Sequence, residues 1–285
     1  MSFGSLSPYP LEGGAPIIAQ IGSWPFGYRD AEGHFSWEEL KRKADLSQVK
    51  AFELKLAHGT KIRGGHLPGH KVTPEIAAIR RVPVGKTVEN PNRFGQFEDV
   101  PTMMDFIQRI RQETGKGVGL KMVMGGPDSL DDLALHMART GKGPDFITID
   151  GAEGGSGATF EDMADTMGLP VKLALALAHN TLLRPGIRDR VVLIASGKPV
   201  TAMRSPAPFC LGGRCGADRG MMISVSYIRT LQCHLNTCSV RMATADPQLH
   251  DPGRRHLAPP GVEEAFPYPS PAGGAAPKGR EKGSP

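Results

Sequence analysis

Five short apolar runs, each closed off by glycine, proline or charge, alternate along the chain with stretches of helical periodicity, and this alternation constrains the fold more than any other feature. The runs lie at residues 17 to 21 (IIAQI), 50 to 57 (KAFELKLA), 118 to 124 (VGLKMVM), 145 to 150 (DFITID) and 191 to 196 (VVLIAS). Helical patterns are predicted at 36 to 44, 73 to 80, 100 to 113, 128 to 141 and 170 to 183. Ser36 caps the first, with Glu39 three residues on. Thr73 caps the second, with Pro74 at its first helical position. Near-continuously apolar strands separated by helices point to an α/β fold with a parallel sheet covered by helices. A (β/α) barrel and an open doubly wound sheet both satisfy that pattern. Both place ligands at the C-terminal ends of the strands, where Lys55, Lys121, Asp150 and Ser196 fall.

A chain of 285 residues, 39% hydrophobic and 22% charged, can bury one sizeable core. No apolar run approaches the roughly 18 residues that a spanning helix needs, so no membrane role is expected. The opening MSFGSLSPYP has neither a basic leader nor an apolar signal core, which predicts a cytoplasmic protein. The 34 basic and 29 acidic residues are dispersed, and the net charge of +5 reads as solvated surface rather than a nucleic-acid stripe. Four cysteines do not make a disulfide framework at this size, and raise instead the question of metal or cluster ligation. In residues 251 to 285, Pro and Gly make up 14 of 35 positions and no periodicity survives, so residues 1 to 250 are expected to form the domain and the rest a disordered tail.

Lys55 and Lys121 are each embedded in an apolar strand pattern, where a charge is costly unless it meets an anion or an electron-rich ligand. The alternative is an alternating strand that points the lysine to solvent. The loop Asp150-Gly151-Ala152-Glu153-Gly154-Gly155-Ser156-Gly157-Ala158 follows a strand directly, and its glycines let backbone N–H groups approach an oxygen-rich ligand. It matches neither the dinucleotide fingerprint nor the P-loop. Ser196-Gly197-Lys198 makes a second small-residue turn after the next strand. Late turns of this kind often bind phosphate in barrels. His179 and His234 read as packing or solvent histidines rather than catalytic ones, and Met103, Met104, Met122 and Met124 as core filling.

The strings KLAHGTK (55 to 61), GGHLPGHKVTPEIAAIR (64 to 80), PDFITIDGAEGGSGAT (144 to 159), GIRDRVVLIASGKPVT (186 to 201) and CHLNTC (233 to 238) resemble, in order and spacing, the FMN domain of glutamate synthase large chains. VPVGKTVENPNRFG (82 to 95) extends the likeness to stand-alone glutamate synthase-like proteins. The resemblance implies a (β/α)8 TIM-type barrel that holds FMN at the C-terminal ends of its strands. It implies an oxidoreductase that reductively aminates 2-oxoglutarate to glutamate through 2-iminoglutarate. Lys55 and Lys121 would contact the flavin, Gly154, Gly155, Gly157, Gly197 and Lys198 would lie near its phosphate and ribityl chain, and Lys61 and His66 would bind substrate carboxylates. Long family members also carry an amidotransferase domain with an N-terminal cysteine nucleophile. Met1-Ser2 lacks it and no nicotinamide fingerprint is present, so an electron-donor protein is an expected partner and a homo-oligomer an allowed one.

Three departures from the family pattern bear on that expectation. After MSFGSLS, the match resumes well downstream at Pro8, which predicts an incomplete barrel. Between Thr201 and Arg219 the chain reads AMRSPAPFCLGGRCGAD where the family has a helix and the eighth strand, as a locally shifted reading frame would produce. Cys233 and Cys238 match two ligands of the family's iron–sulfur cluster, but Tyr227 stands at the third, so no cluster is expected. Two alternatives follow. Cys210, Cys215, Cys233 and Cys238 form two equally spaced pairs that would suit a zinc-stabilised binding module. The other is a degenerate, non-catalytic barrel fragment.

Overall fold

The computed structural model describes residues 6–56, 66–154, 166–197, 213 and 215–217. The strands are β1 (Ile17–Ile21), β2 (Val49–Lys55), β3 (His66–Leu67), β4 (Val88–Glu89), β5 (Gly117–Val123), β6 (Phe146–Asp150), β7 (Val192–Ser196) and β8 (Cys215–Ala217). The helices are α1 (Tyr9–Glu12), α2 (Trp37–Ala44), α3 (Pro74–Arg80), α4 (Val100–Thr114), α5 (Asp131–Thr140) and α6 (Val171–Leu183). Each predicted strand and helix has its counterpart here, shifted by no more than a few residues at its ends. Helix α1 and the two-residue pair β3–β4 carry too little periodicity to be foreseen. Strand β8 lies inside the segment that departs from the family pattern.

Six strands form one parallel sheet in the order β1-β2-β5-β6-β7-β8. Each new strand is added on the same side as the last. A doubly wound sheet would reverse direction at a switch point, whereas a barrel winds one way only. The topology therefore decides between the two α/β architectures that the sequence pattern left open. Strands β1 and β8 stand at the two edges and are not joined among the described residues, so the fold is that of an incomplete (β/α) barrel.

Strand periodicity divides the sheet into two faces. Ile21, Phe52, Leu54, Val118, Leu120, Ile147, Ile149 and Leu193 are buried on the outer face beneath Leu40 of α2, Met104, Ile107 and Ile110 of α4, Met137 of α5 and Leu175 and Leu182 of α6. Each fully buried aliphatic side chain of this kind contributes about 2 kcal/mol. Met103, Met104 and Met124 belong to this core, as expected of packing residues. Among the described residues no helix is long and apolar enough to cross a membrane.

The opposite, inner face carries a polar cluster. Gln20, Glu53 and Thr148 meet there although their strands are not all neighbours: Glu53 is buried and accepts hydrogen bonds from Gln20 Nε2 at 2.7 Å and Thr148 Oγ1 at 2.6 Å. Strand β5 lies between β2 and β6, and Gly119 is the residue in register with Glu53. A Cβ on Gly119 would lie 2.2 Å from the Phe146 ring. The absence of a side chain on Gly119 lets Glu53 reach across β5 and lets Phe146 cover the gap.

Two expectations about helix starts are corrected. Ser36 Oγ accepts the Glu39 N–H at 3.2 Å, but the Glu39 carboxylate does not return to Ser36 as a capping box requires. It binds Arg42 at 2.8 Å and Arg81 from α3's C-terminal cap, while Ser36 N–H donates to the Tyr28 carbonyl. Two guanidinium partners outcompete one backbone amide. Helix α5 starts at Asp131 rather than at 128, because Ser129 Oγ accepts from the N–H groups of Gly125 and Gly126 and folds that stretch into a turn. Thr73 caps α3 as predicted, accepting the Ile76 N–H at 3.3 Å.

Candidate functional site at the strand ends

The C-terminal ends of β2, β5, β6 and β7 bring four of the singled-out residues to one rim. Lys55 and Lys121 are partners in the β2–β5 register and share the inner face. Lys121 is level with Thr148 on β6, two residues short of Asp150, so its side chain climbs past β6 towards β7. There its Nζ donates to Ser196 Oγ at 3.2 Å and lies 3.7 Å from Asp150 Oδ2. Asp150 and Ser196 are themselves register partners, and the side chains of Lys121 and Asp150 are only 17% and 12% exposed. The lysine therefore does not point to open solvent. Adjacent parallel strands lie about 4.8 Å apart, so the two lysines concentrate positive charge on one patch, which Asp150 offsets on one side.

Directly after these residues come two glycine turns. Gly151 N–H donates to the Ser196 carbonyl at 2.7 Å, locking the ends of β6 and β7 together. A Cβ on Gly151 would lie 2.3 Å from Glu153 Oε2 and 2.6 Å from Val171 Cβ, so no other residue fits without displacement. Gly197 has φ +151°, and a Cβ there would lie 3.3 Å from Gly151 N. Gly154 ends a single 3₁₀ turn, Ala152–Gly154. Helix α6 begins beside these turns after Pro170, which offers no capping side chain. Glu153 supplies the cap instead: its carboxylate accepts the Val171 N–H at 3.0 Å.

His66 is placed elsewhere, on the short pair β3–β4, where its Nδ1 contacts the Glu89 carboxylate opposite it in register. This segment packs through Val72, Ala77 and Val88 against Phe26, in the loop that leaves β1. Lys61, Gly155, Gly157, Lys198, Cys210, Cys233 and Cys238 lie outside the described residues, and Cys215 contributes its backbone to β8. Sequence reasoning did not single out Glu53, Glu89 or Glu153's capping role. For Glu53 a signal existed, since its two-residue spacing from Lys55 puts both on one strand face. The partners of Glu89 and Glu153 are distant in sequence, and no local pattern announces them.

Comparison with known proteins comes down on one family. The family model described as a conserved region in glutamate synthase matches residues 2–267. The glutamate synthase large subunit-like protein YerD of Bacillus subtilis is 51% identical over 247 residues, 86% of this chain and 47% of that protein. An archaeal-type glutamate synthase (NADPH) of Thermotoga neapolitana is 32% identical over 213 residues, 72% of this chain and 40% of that protein. The chain thus spans less than half the length of these relatives. Among solved structures, a flavocytochrome b2 variant with benzoylformate aligns over 77% of this chain and 48% of its own at a TM-score of 0.45 and 13% identity, too distant to inform the site.

Proposed function

This chain belongs to the glutamate synthase family, and from that membership we propose that it is an FMN-dependent oxidoreductase that reductively aminates 2-oxoglutarate to glutamate by way of 2-iminoglutarate. The observation that carries the reading is the juxtaposition of Lys55, Lys121, Asp150 and Ser196 at the C-terminal rim of a (β/α) barrel, next to two turns that only glycine fits. These residues suit FMN. Paired ammonium groups match a ring system that gains negative charge on reduction, and the glycines at 151 and 197 let the ends of β6 and β7 pack closely against Glu153 and Val171 beside them. When bound, FMN supplies the hydride.

The chain's own residues do the rest. Lys55 and Lys121 bring positive charge to the inner face, and Gly154, Gly155, Gly157, Gly197 and Lys198 would hold the phosphate and ribityl chain. Lys61 and His66 would take the substrate carboxylates, and Glu89 contacts His66 Nδ1. Ammonia condenses with 2-oxoglutarate to the imine, and hydride and proton addition across its C=N bond yields glutamate. An electron-donor protein would supply the reducing equivalents.

The visible absorption spectrum of the purified protein, with release of any chromophore by heat, tests this reading. Flavin bands and recovered FMN are expected, and Lys121→Met should weaken FMN affinity about tenfold, roughly 1.4 kcal/mol. A folded, colourless protein that takes up no added FMN would overturn the proposal and leave a non-catalytic barrel fragment.

A further inference from the structure

Lys121 reaches the rim along a path that its own strand does not dictate. Its backbone is level with Thr148, yet its ammonium group sits by Asp150 and Ser196, the last residues of the next two strands. A lysine is a point charge on a flexible stem, and without fixed partners it would spread that charge over several rotamers. Two partners from two different strands hold it: a hydroxyl at 3.2 Å and a carboxylate oxygen at 3.7 Å. Both partners are in turn pinned, because Asp150 and Ser196 are register partners and the Ser196 carbonyl accepts the Gly151 N–H at 2.7 Å. The partners also precede the two glycines whose bare backbone forms the rim.

We infer that Asp150 and Ser196 are positioning residues for Lys121, holding its ammonium group at the rim so that it acts as a fixed cation towards the reduced cofactor. This rests on the FMN reading above and deepens it. The two partners are separable by sign. Considered only as a nearby negative charge, Asp150 would disfavour reduced, more negative flavin, and its neutralisation would strengthen binding of the reduced form. As a positioning residue its neutralisation releases Lys121 and weakens that binding.

The test measures FMN affinity and the midpoint potential of bound FMN in the full chain and in Ser196→Ala, Ser196→Thr and Asp150→Asn, each also combined with Lys121→Met. Ser196→Ala and Asp150→Asn are expected to lower the preference for reduced over oxidised FMN by about threefold to tenfold, tenfold being about 30 mV for a two-electron couple. Ser196→Thr, which keeps the hydroxyl, restores it. Neither loss recurs in the Lys121→Met background, because the partners act through the lysine. Losses that persist without Lys121, or a stronger preference for reduced FMN in Asp150→Asn, overturn the inference while leaving the FMN reading intact. Failure of the unsubstituted chain to hold FMN overturns both. Thermal melts identify any variant that does not fold, and the near-isosteric Asp150→Asn keeps the question decidable if Ser196→Ala is lost.

Discussion

Lys43 shows how a single residue can carry a charge that its surroundings oppose. On α2 it is 5% exposed, its Nζ lies 4.0 Å from the centre of the Tyr28 ring, and it donates to the Gly27 carbonyl. Burial pushes its pKa down to about 8 from an ordinary 10.5, with Arg42 and Arg81 adding to the effect and Glu39 opposing it. The same burial drives the Tyr28 phenol upward. Burial also works against the Glu39 carboxylate, yet the Arg42 hydrogen bond and the charges of Arg42, Arg81 and Lys43 outweigh it and bring its pKa below the usual range. For Lys43 the folded state binds fewer protons than the unfolded chain between pH 8 and 10.5, so its contribution to stability is complete above 10.5 and lost as pH falls through about 8. Urea titrations of the parent and Lys43→Met across that window should show the parent gaining on the variant as pH rises, by up to about 3 kcal/mol. A constant difference would mean that the lysine is not desolvated.

At the scale of elements, the helix starts differ in how far away their caps come from. Ser36, Thr73 and Asp99 cap α2, α3 and α4 from the residue just before each helix, and Thr102 completes a reciprocal box with Asp99. Such caps are legible in sequence because the geometry is local. Helix α6 depends on Glu153, 18 residues upstream, whose carboxylate also complements the helix dipole. Glu153→Ala is expected to destabilise the protein by about 1 kcal/mol, with Glu153→Gln losing less because an acceptor oxygen remains. Chemical denaturation measures the difference, and equal losses in the two variants would show that charge rather than the hydrogen bond matters.

For the whole molecule, the inner polar cluster ties strands that the backbone ladder does not pair. Glu53 on β2 joins Gln20 on β1 to Thr148 on β6 across the gap left by Gly119. Because the sheet has two open edges among the described residues, such cross-links resist splaying that a closed barrel would prevent by its ladder alone. Glu53→Ala strands a half-buried amide and a buried hydroxyl and should cost roughly 2–4 kcal/mol, whereas Glu53→Gln keeps part of the bonding and should cost less. Urea midpoints give these values. A loss below about 0.5 kcal/mol in Glu53→Ala would remove the cluster from any role in stability.

Alternation of apolar runs and helical periods determined the α/β class, the positions of the five long strands and five of the six helices, because strand and helix periods are local properties of side-chain spacing. The same spacing marked Lys55 and Lys121 as anomalous charges and Asp150 and Ser196 as strand-end polar groups. Motif strings carried the family, which the comparisons then bore out. Tertiary structure decided what no local window contains. The one-way strand order separated barrel from doubly wound sheet, since order depends on which distant strands pair. The pairing of Lys121 with Ser196 spans 75 residues, and the capping of α6 by Glu153 and the contact between His66 and Glu89 arise likewise where separate segments meet. Sequence periodicity says which face a side chain takes; only packing of the chain against itself says what waits there.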